Sequence, residues 1–194
     1  MAFEDDDPEQ VVNHERRHEE AINGVHVVMA HAEIAWEFNV DRVAIVTPLS
    51  SRQEREMTEA VAQLARLDIP EYDGAAFHAG EPSNERKVHM FLYERNERVI
   101  GFARFEWATH ASRYTWNEYE NETTWNENHE ALWSVASLWV NKNFYRTGVA
   151  TKLVIEAARW LGANQQTIGW QDPFTDKAML FLHKMYPESL ILAR

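Results

Sequence analysis

The segment Ala136-Ser-Leu-Trp-Val140-Asn-Lys-Asn-Phe-Tyr-Arg146-Thr-Gly148-Val-Ala150-Thr151 reads as a strand, a turn carrying a glycine, and the start of an amphipathic helix. Chemically this is an anion site. Backbone N–H groups at a helix start have no carbonyl partner, and the helix dipole adds partial positive charge there. Arg146 lies beside them, and a glycine lets the backbone approach phosphate oxygens, so the segment suits a pyrophosphate. A second stretch, Trp170-Gln-Asp172-Pro-Phe-Thr175, ends a strand on a carboxylate. That carboxylate could take a proton from a substrate ammonium, directly or through water; equally, it could serve only as an Asp-Pro turn before a helix. A third, His14-Glu-Arg-Arg-His18, has the spacing of a zinc-peptidase helix. Its middle residues are arginines where such a helix is apolar, and no third ligand follows, so no metal is expected. Both histidines share a face with Val11, Ala21 and Ile22, which suits packing or a subunit contact.

The elements that must position these residues show in the spacing of apolar side chains. Asp7-Pro8 reads as a helix cap followed by proline at the first helical position, and Gly24 ends a helix predicted over 8–23. Residues 25–38 mix β-branched side chains with alanines, so periodicity does not separate helix from strand; helix is the preferred reading. Val43–Thr47 is a short buried strand. Ser51 and Glu54 form a capping box for a helix that turns Met57, Ala60, Val61, Leu64 and Leu67 inward until Pro70 stops it. Glycines, prolines and small polar residues mark 70–86 as a loop. Runs at 88–93 and 99–107 should pair as an antiparallel hairpin across the polar segment 94–98, and a run at 133–140 joins them after an insert at 109–130. Within that insert Thr115-Trp-Asn-Glu118 recurs nine residues later as Thr124-Trp-Asn-Glu127, too few copies for a solenoid. A helix over 148–161, a strand over 167–170 and a helix from Thr175 through Met185 complete the order: strand, helix, three strands, helix, strand, helix.

Composition bounds what this machinery serves. A chain of 194 residues with 45% hydrophobic side chains, eight tryptophans and nine phenylalanines has the area to bury one core. A formal net charge of −12 argues against direct nucleic-acid binding and favours a cationic small molecule, a polyamine or a basic protein tail, or simply solubility. Zero cysteines exclude disulfides and thiolate catalysis and point to a reducing compartment. No apolar run approaches the ~20 residues of a membrane helix, and the acidic start is unlike a secretory signal, so a cytoplasmic protein with no membrane partner is expected.

Tyr145 to Ala150 resembles the Gln/Arg-x-x-Gly-x-Gly/Ala pattern that follows a Val-ending strand in the GNAT (Gcn5-related) acetyltransferases, with Gly148 and Ala150 at the two small positions. Tyr145 departs from the family at the first position, while Arg146 beside it keeps the positive charge. The resemblance implies an α/β (α+β) fold with a mixed, mostly antiparallel central sheet flanked by helices. It implies acetyl-CoA as cofactor, with the backbone of Leu138, Trp139 and Val140 pairing with the pantetheine arm. Tyr145, Arg146, Thr147, Gly148, Val149, Ala150 and Thr151 would then cradle the pyrophosphate. Residues 1–40 would be an N-terminal helical extension, and 41–194 the acyltransferase domain carrying the insert. Two habitual catalytic side chains of the family are replaced: Ala136 stands where a Glu serves as base, and Leu182 where a Tyr protonates the leaving thiolate.

Leu138-Trp-Val140 and Trp170-Gln-Asp-Pro-Phe-Thr175 also resemble the sister-chromatid cohesion acetyltransferases, which makes Asp172 the candidate base. The glycine that follows in that family and its zinc finger are missing here, so its substrate is not carried over. Ser134, Ser137, Glu106 and Tyr186 are secondary polar candidates near the thioester. The insert would lie on the acceptor side, where Trp116, Tyr119 and Trp125 with Glu118, Glu120 and Glu127 could hold a cation by ring faces and carboxylates, or pack inward. The reading that follows is an N-acetyltransferase moving an acetyl group from acetyl-CoA to a primary amine. Its alternative is a catalytically inactive GNAT-fold structural or binding protein, such as a phage virion component. Val25–Phe38 would suit a partner surface, in a homo-oligomer or with another protein.

Overall fold

A computed structural model of the chain describes residues 8–27, 32–68, 87–121 and 131–193. The first half runs α1 (Pro8–Asn23), β1 (Val25–His26), β2 (Glu33–Phe38), β3 (Asp41–Val46), α2 (Arg52–Asp68), β4 (Val88–Arg95) and β5 (Arg98–Ala108). The second runs β6 (Ala111–Thr115), α3 (Trp116–Glu120), β7 (Leu132–Val140), α4 (Val149–Trp160), β8 (Gly169–Trp170), α5 (Asp176–Met185) and β9 (Ser189–Ala193).

The apolar run in β3 shows how the layers arise. Alternate side chains leave a strand on opposite faces, and all four residues from Val43 to Val46 are buried. Val43 and Ile45 join Phe91, Phe105, Leu153 and Ala157 on the side of α4. Ala44 and Val46 join Val61, Ala65, Met90 and Trp139 on the side of α2. Burying each large side chain of this kind contributes roughly 1.5–3 kcal/mol, so a sheet covered on both faces is the stable solution for such a run.

The strands form one sheet in the order β2-β3-β4-β5-β7-β8-β9-β6, with β1 against the start of β5. Neighbours from β2 through β7 are antiparallel, β7-β8 and β8-β9 are parallel, and β9-β6 is antiparallel again. The mixed, mostly antiparallel sheet flanked by helices is the fold class the resemblance implies.

Three expectations are corrected. The helix preferred for 25–38 is absent where the structure describes it: Val25–His26 and Glu33–Phe38 are strands, and β2 pairs with β3 from Glu33↔Ile45 to Phe38↔Asp41. Backbone bonds from a partner distant in sequence decide that segment, and periodicity does not register them. The connection expected over 94–98 shrinks to Asn96 and Glu97, both at positive φ (50° and 60°), because Glu94 and Arg95 continue β4. The insert supplies a strand, β6, whose partner β9 lies at the far end of the chain, beyond the last element the sequence predicts. The 70–86 loop and the second Thr-Trp-Asn-Glu copy lie outside the described residues.

Candidate active site

β7 is paired with β5 from Ala108↔Leu132 to Gly101↔Val140. On its other side it meets β8 only at Ser134↔Gly169 and Val135↔Trp170, and the Gln171 N–H donates to the Val135 carbonyl at 3.0 Å. Beyond that bond the two strands part. The outer backbone edge of β7 from Ala136 to Val140 therefore has no strand partner among the described residues. A bulge sits where the parting begins, since the register shifts between Arg104↔Ser137 and Phe105↔Val135 and leaves Ala136 as the extra residue. Asn141 N–H bonds back to Ile100, which makes Trp139↔Phe102 a hydrogen-bonded pair and turns the N–H and C=O groups of Leu138 and Val140 outward, toward an amide-bearing arm. Trp139 contributes nothing to that edge: its backbone faces β5, and its side chain is buried, lies 6.0 Å from Phe102, and donates Nε1–H to Asp68 Oδ2 at 3.0 Å.

The turn after β7 leaves the start of α4 bare. Arg146 and Gly148 both adopt positive φ, 63° and 89°, and no side chain caps the helix. Its first bond runs from Lys152 N–H to the Gly148 carbonyl at 2.9 Å, so the N–H groups of Val149, Ala150 and Thr151 precede any intrahelical acceptor. A Cβ built on Gly148 meets nothing within 4 Å, so the space before the helix is open and the glycine is there for its conformation. Thr147 instead turns its hydroxyl to the Phe144 carbonyl at 2.6 Å, which fastens the turn. The donors fit a pyrophosphate and the free β7 edge fits a pantetheine amide chain, so the residues present suit a coenzyme A ligand.

Two contributors escaped the sequence. Gly101 has no room for a side chain, because a Cβ there would lie 2.9 Å from Val149 Cγ1 and 3.0 Å from the Trp139 carbonyl. It brings the first turn of α4 against β5. Lys177, in the first turn of α5, places Nζ 4.6 Å from the Tyr145 ring centroid, a cation–π contact that adds a third exposed cation to Lys142 and Arg146 around the turn. Only the glycine had a signal, as a small residue inside a strand pattern.

The remaining candidates separate into two groups. Asp172 is exposed, one residue past the Gln171 bond to β7, and its charge together with burial raises the Tyr119 phenol, burial being the larger cause. The Tyr119 ring lies 5.9 Å from Phe174, so α3 borders the Asp172 segment. On the α2 face of the sheet, Glu106 pairs with Arg104, which lies in register with Ser137 and with Met90. The Ser134 hydroxyl donates to the Glu106 carbonyl at 3.1 Å and accepts from Gln171 Nε2 at 2.9 Å.

Other sequence candidates are engaged in structure. Tyr186 donates its hydroxyl to the Gln165 carbonyl at 2.9 Å, and burial pushes the phenol up to about 12. Trp116 is 8% exposed, donates Nε1–H to the Tyr186 carbonyl at 2.7 Å and stacks on His183 at 3.7 Å. Glu118 closes the capping box of α3, where backbone and hydroxyl bonds from Thr115 hold its carboxyl below the usual range. Trp125 and Glu127 lie outside the described residues. Leu182 is fully buried in the core. His14 and His18 are exposed with ring centroids 6.0 Å apart.

A sheet that parts beside a bare helix start, with helices on both faces, is the architecture of the GNAT fold. Residues 53–185, more than half of the chain, match the model of the acetyltransferase (GNAT) family, and the chain belongs to that family. The xEco2 acetyltransferase domain is similar in structure, with a TM-score of 0.62 at 17% identity over 86% of this chain and 98% of that one. The xEco2 domain bound to a K105-CoA conjugate gives a TM-score of 0.64 at 17% identity, over 84% of this chain and 98% of that one. Identity at this level speaks for the fold alone. A comparison with curated proteins finds no match. Among the described residues no helix is long and apolar enough to cross a membrane.

Proposed function

We propose that the protein is an acetyl-CoA-dependent N-acetyltransferase acting on a primary amine, and that it works in the cytoplasm. The carrying observation is the free edge of β7 followed, after the turn over 141–148, by the uncapped start of α4. When bound, the cofactor supplies an acyl group activated as a thioester. The chain supplies the rest. Backbone groups of Leu138 and Val140 align the pantetheine arm, and N–H groups from Gly148 to Thr151 with Arg146 hold the pyrophosphate, which fixes the reacting end beside the bulge at Ala136. Asp172, one residue past the point where β8 leaves β7, accepts the proton that an incoming ammonium must lose. Ser137 and Glu106, on the α2 face next to the same edge, are the polar groups available to orient the amine.

The position of Leu182 in the core supports a mechanism in which no side chain there reprotonates the thiolate. Positioning and exclusion of water then carry more of the rate. The same observation, with Ala136 in place of a Glu, favours a second reading: a family member that binds without turnover. Titrating acetyl-CoA into the protein and then supplying polyamines, aminoglycosides and lysine peptides separates the two. Micromolar binding with amine-dependent release of coenzyme A is expected. Binding without release establishes the second reading, and absence of binding at millimolar cofactor overturns the first.

A further inference from the structure

The helix α1 is held to the domain chiefly at one end. Its middle is exposed, with Val11 and Val12 at 42% and 63%, so packing along its length does little to hold it. Its last turn, by contrast, is fastened to the turn that carries the phosphate donors. The carbonyls of Ala21 and Ile22 are among the helix-end acceptors that lack an intrahelical partner, and they receive the side-chain amides of Asn141 at 3.0 Å and Asn143 at 2.8 Å.

Asn141 connects three elements. It is 1% exposed, donates its backbone N–H to Ile100 of β5 at 2.8 Å, and accepts at Oδ1 from the Asn143 N–H at 3.0 Å. Its own carbonyl accepts from Phe144 N–H at 2.8 Å, which closes the short turn leading to Arg146 and Gly148. Every polar group of this side chain is therefore spent between the end of α1 and the start of the cofactor turn. Arg98, at the start of β5, adds a second tie by donating to the Gly24 carbonyl at 3.1 Å and pairing with Glu19.

We propose that the C-terminal turn of α1 is a positioning element of the cofactor site, acting through Asn141 and Asn143, so that docking of α1 and coenzyme A binding strengthen each other. This rests on the cofactor reading above. The turn holds Arg146 at positive φ, and a residue other than glycine persists in that conformation only where neighbouring bonds fix it. Bonds that hold the turn in one shape lower the ordering cost that binding would otherwise incur. By linkage, an effect of α1 on cofactor affinity requires an equal effect of cofactor on α1 docking. An extension N-terminal to the catalytic sheet thereby becomes part of the site without touching the ligand.

The test uses coenzyme A as the probe in calorimetry with the full chain, Asn141→Asp and Asn143→Ala. Asn141→Asp keeps the acceptor for the Asn143 N–H and loses the donor to Ala21; Asn143→Ala removes one exposed side chain and its bond to Ile22. Each is expected to weaken coenzyme A binding about fivefold to tenfold, as the loss of one hydrogen bond worth about 1 kcal/mol predicts. KM for acetyl-CoA should rise while kcat stays within about twofold, the pattern of lost uniform binding. Hydrogen exchange in residues 20–24 should slow when coenzyme A is added to the unaltered chain. Unchanged affinity in Asn143→Ala, with the unaltered chain binding normally, overturns the proposal and leaves the function reading intact. Failure of the unaltered chain to bind overturns both.

Discussion

The starts of α4 and α5, linked through the contact of Lys177 with Tyr145, are built in opposite ways. At α5 the Thr175 hydroxyl accepts from the Ala178 N–H at 3.2 Å, and Asp176 adds negative charge in the first turn. At α4 there is a left-handed glycine, no capping side chain and no acidic residue in the first turn. The helices α2 and α3 resemble α5, with Ser51/Glu54 and Thr115/Glu118 as capping boxes. A helix that satisfies its own end has nothing left to offer a ligand. The one whose cap is a bare glycine, after an unpaired strand edge, keeps its N–H groups open to the anion that the proposed function requires, and the contrast sets it apart from three ordinary helix starts.

The sharpest way to break the comparison is Gly148→Glu. It puts a side chain at a positive φ and a carboxylate before the N–H groups, so coenzyme A affinity should fall about a hundredfold or more, below detection in calorimetry. Next, Asp172→Asn should lower kcat about a hundredfold, as loss of a general base does, and leave KM for acetyl-CoA within about twofold in steady-state assays. An unchanged kcat would return Asp172 to a turn residue. Arg146→Ala should weaken cofactor binding by about fivefold to tenfold and flatten its dependence on salt, since one exposed cation is lost.

Thr175→Ala tests the closed helix start. It should cost about 1 kcal/mol of stability, read as a lower urea midpoint, with cofactor affinity unchanged. A large change in affinity would erase the distinction between the two helix starts. The smallest effect concerns Asp41, at the start of β3, whose partner Arg95 lies 5.9 Å from the Phe144 ring centroid. Asp41 accepts from Arg95 at 2.6 Å and 2.8 Å and from the Tyr93 hydroxyl at 3.0 Å, and the Arg95 bond leads in lowering its pKa below 3.8. A carboxyl whose folded pKa lies below its unfolded one adds stability that is present above about pH 4 and lost as pH falls through the folded value. Urea midpoints of Asp41→Asn and the unaltered chain should therefore differ above about pH 4 and converge below it.

Sequence alone determined the parts whose physics is local. The periodicity of α2, α4 and α5, the buried run of β3, the Ser51/Glu54 capping box, and the glycine turn before α4 each depend on neighbours a few residues away, and each lies where expected. Tertiary structure alone decided what depends on distant partners. β2 is a strand because β3 supplies its backbone bonds, and β6 because β9 does. The free edge of β7 exists because β8 pairs with it at two residues and then departs, and Trp139 turns away from the edge because Asp68 holds its indole. Lys177 reaches Tyr145, and Asn141 reaches α1, across separations that no short-range pattern encodes. Spacing told which backbone could receive an anion, and packing decided which side chains surround it, because contacts between remote segments follow from how the layers stack.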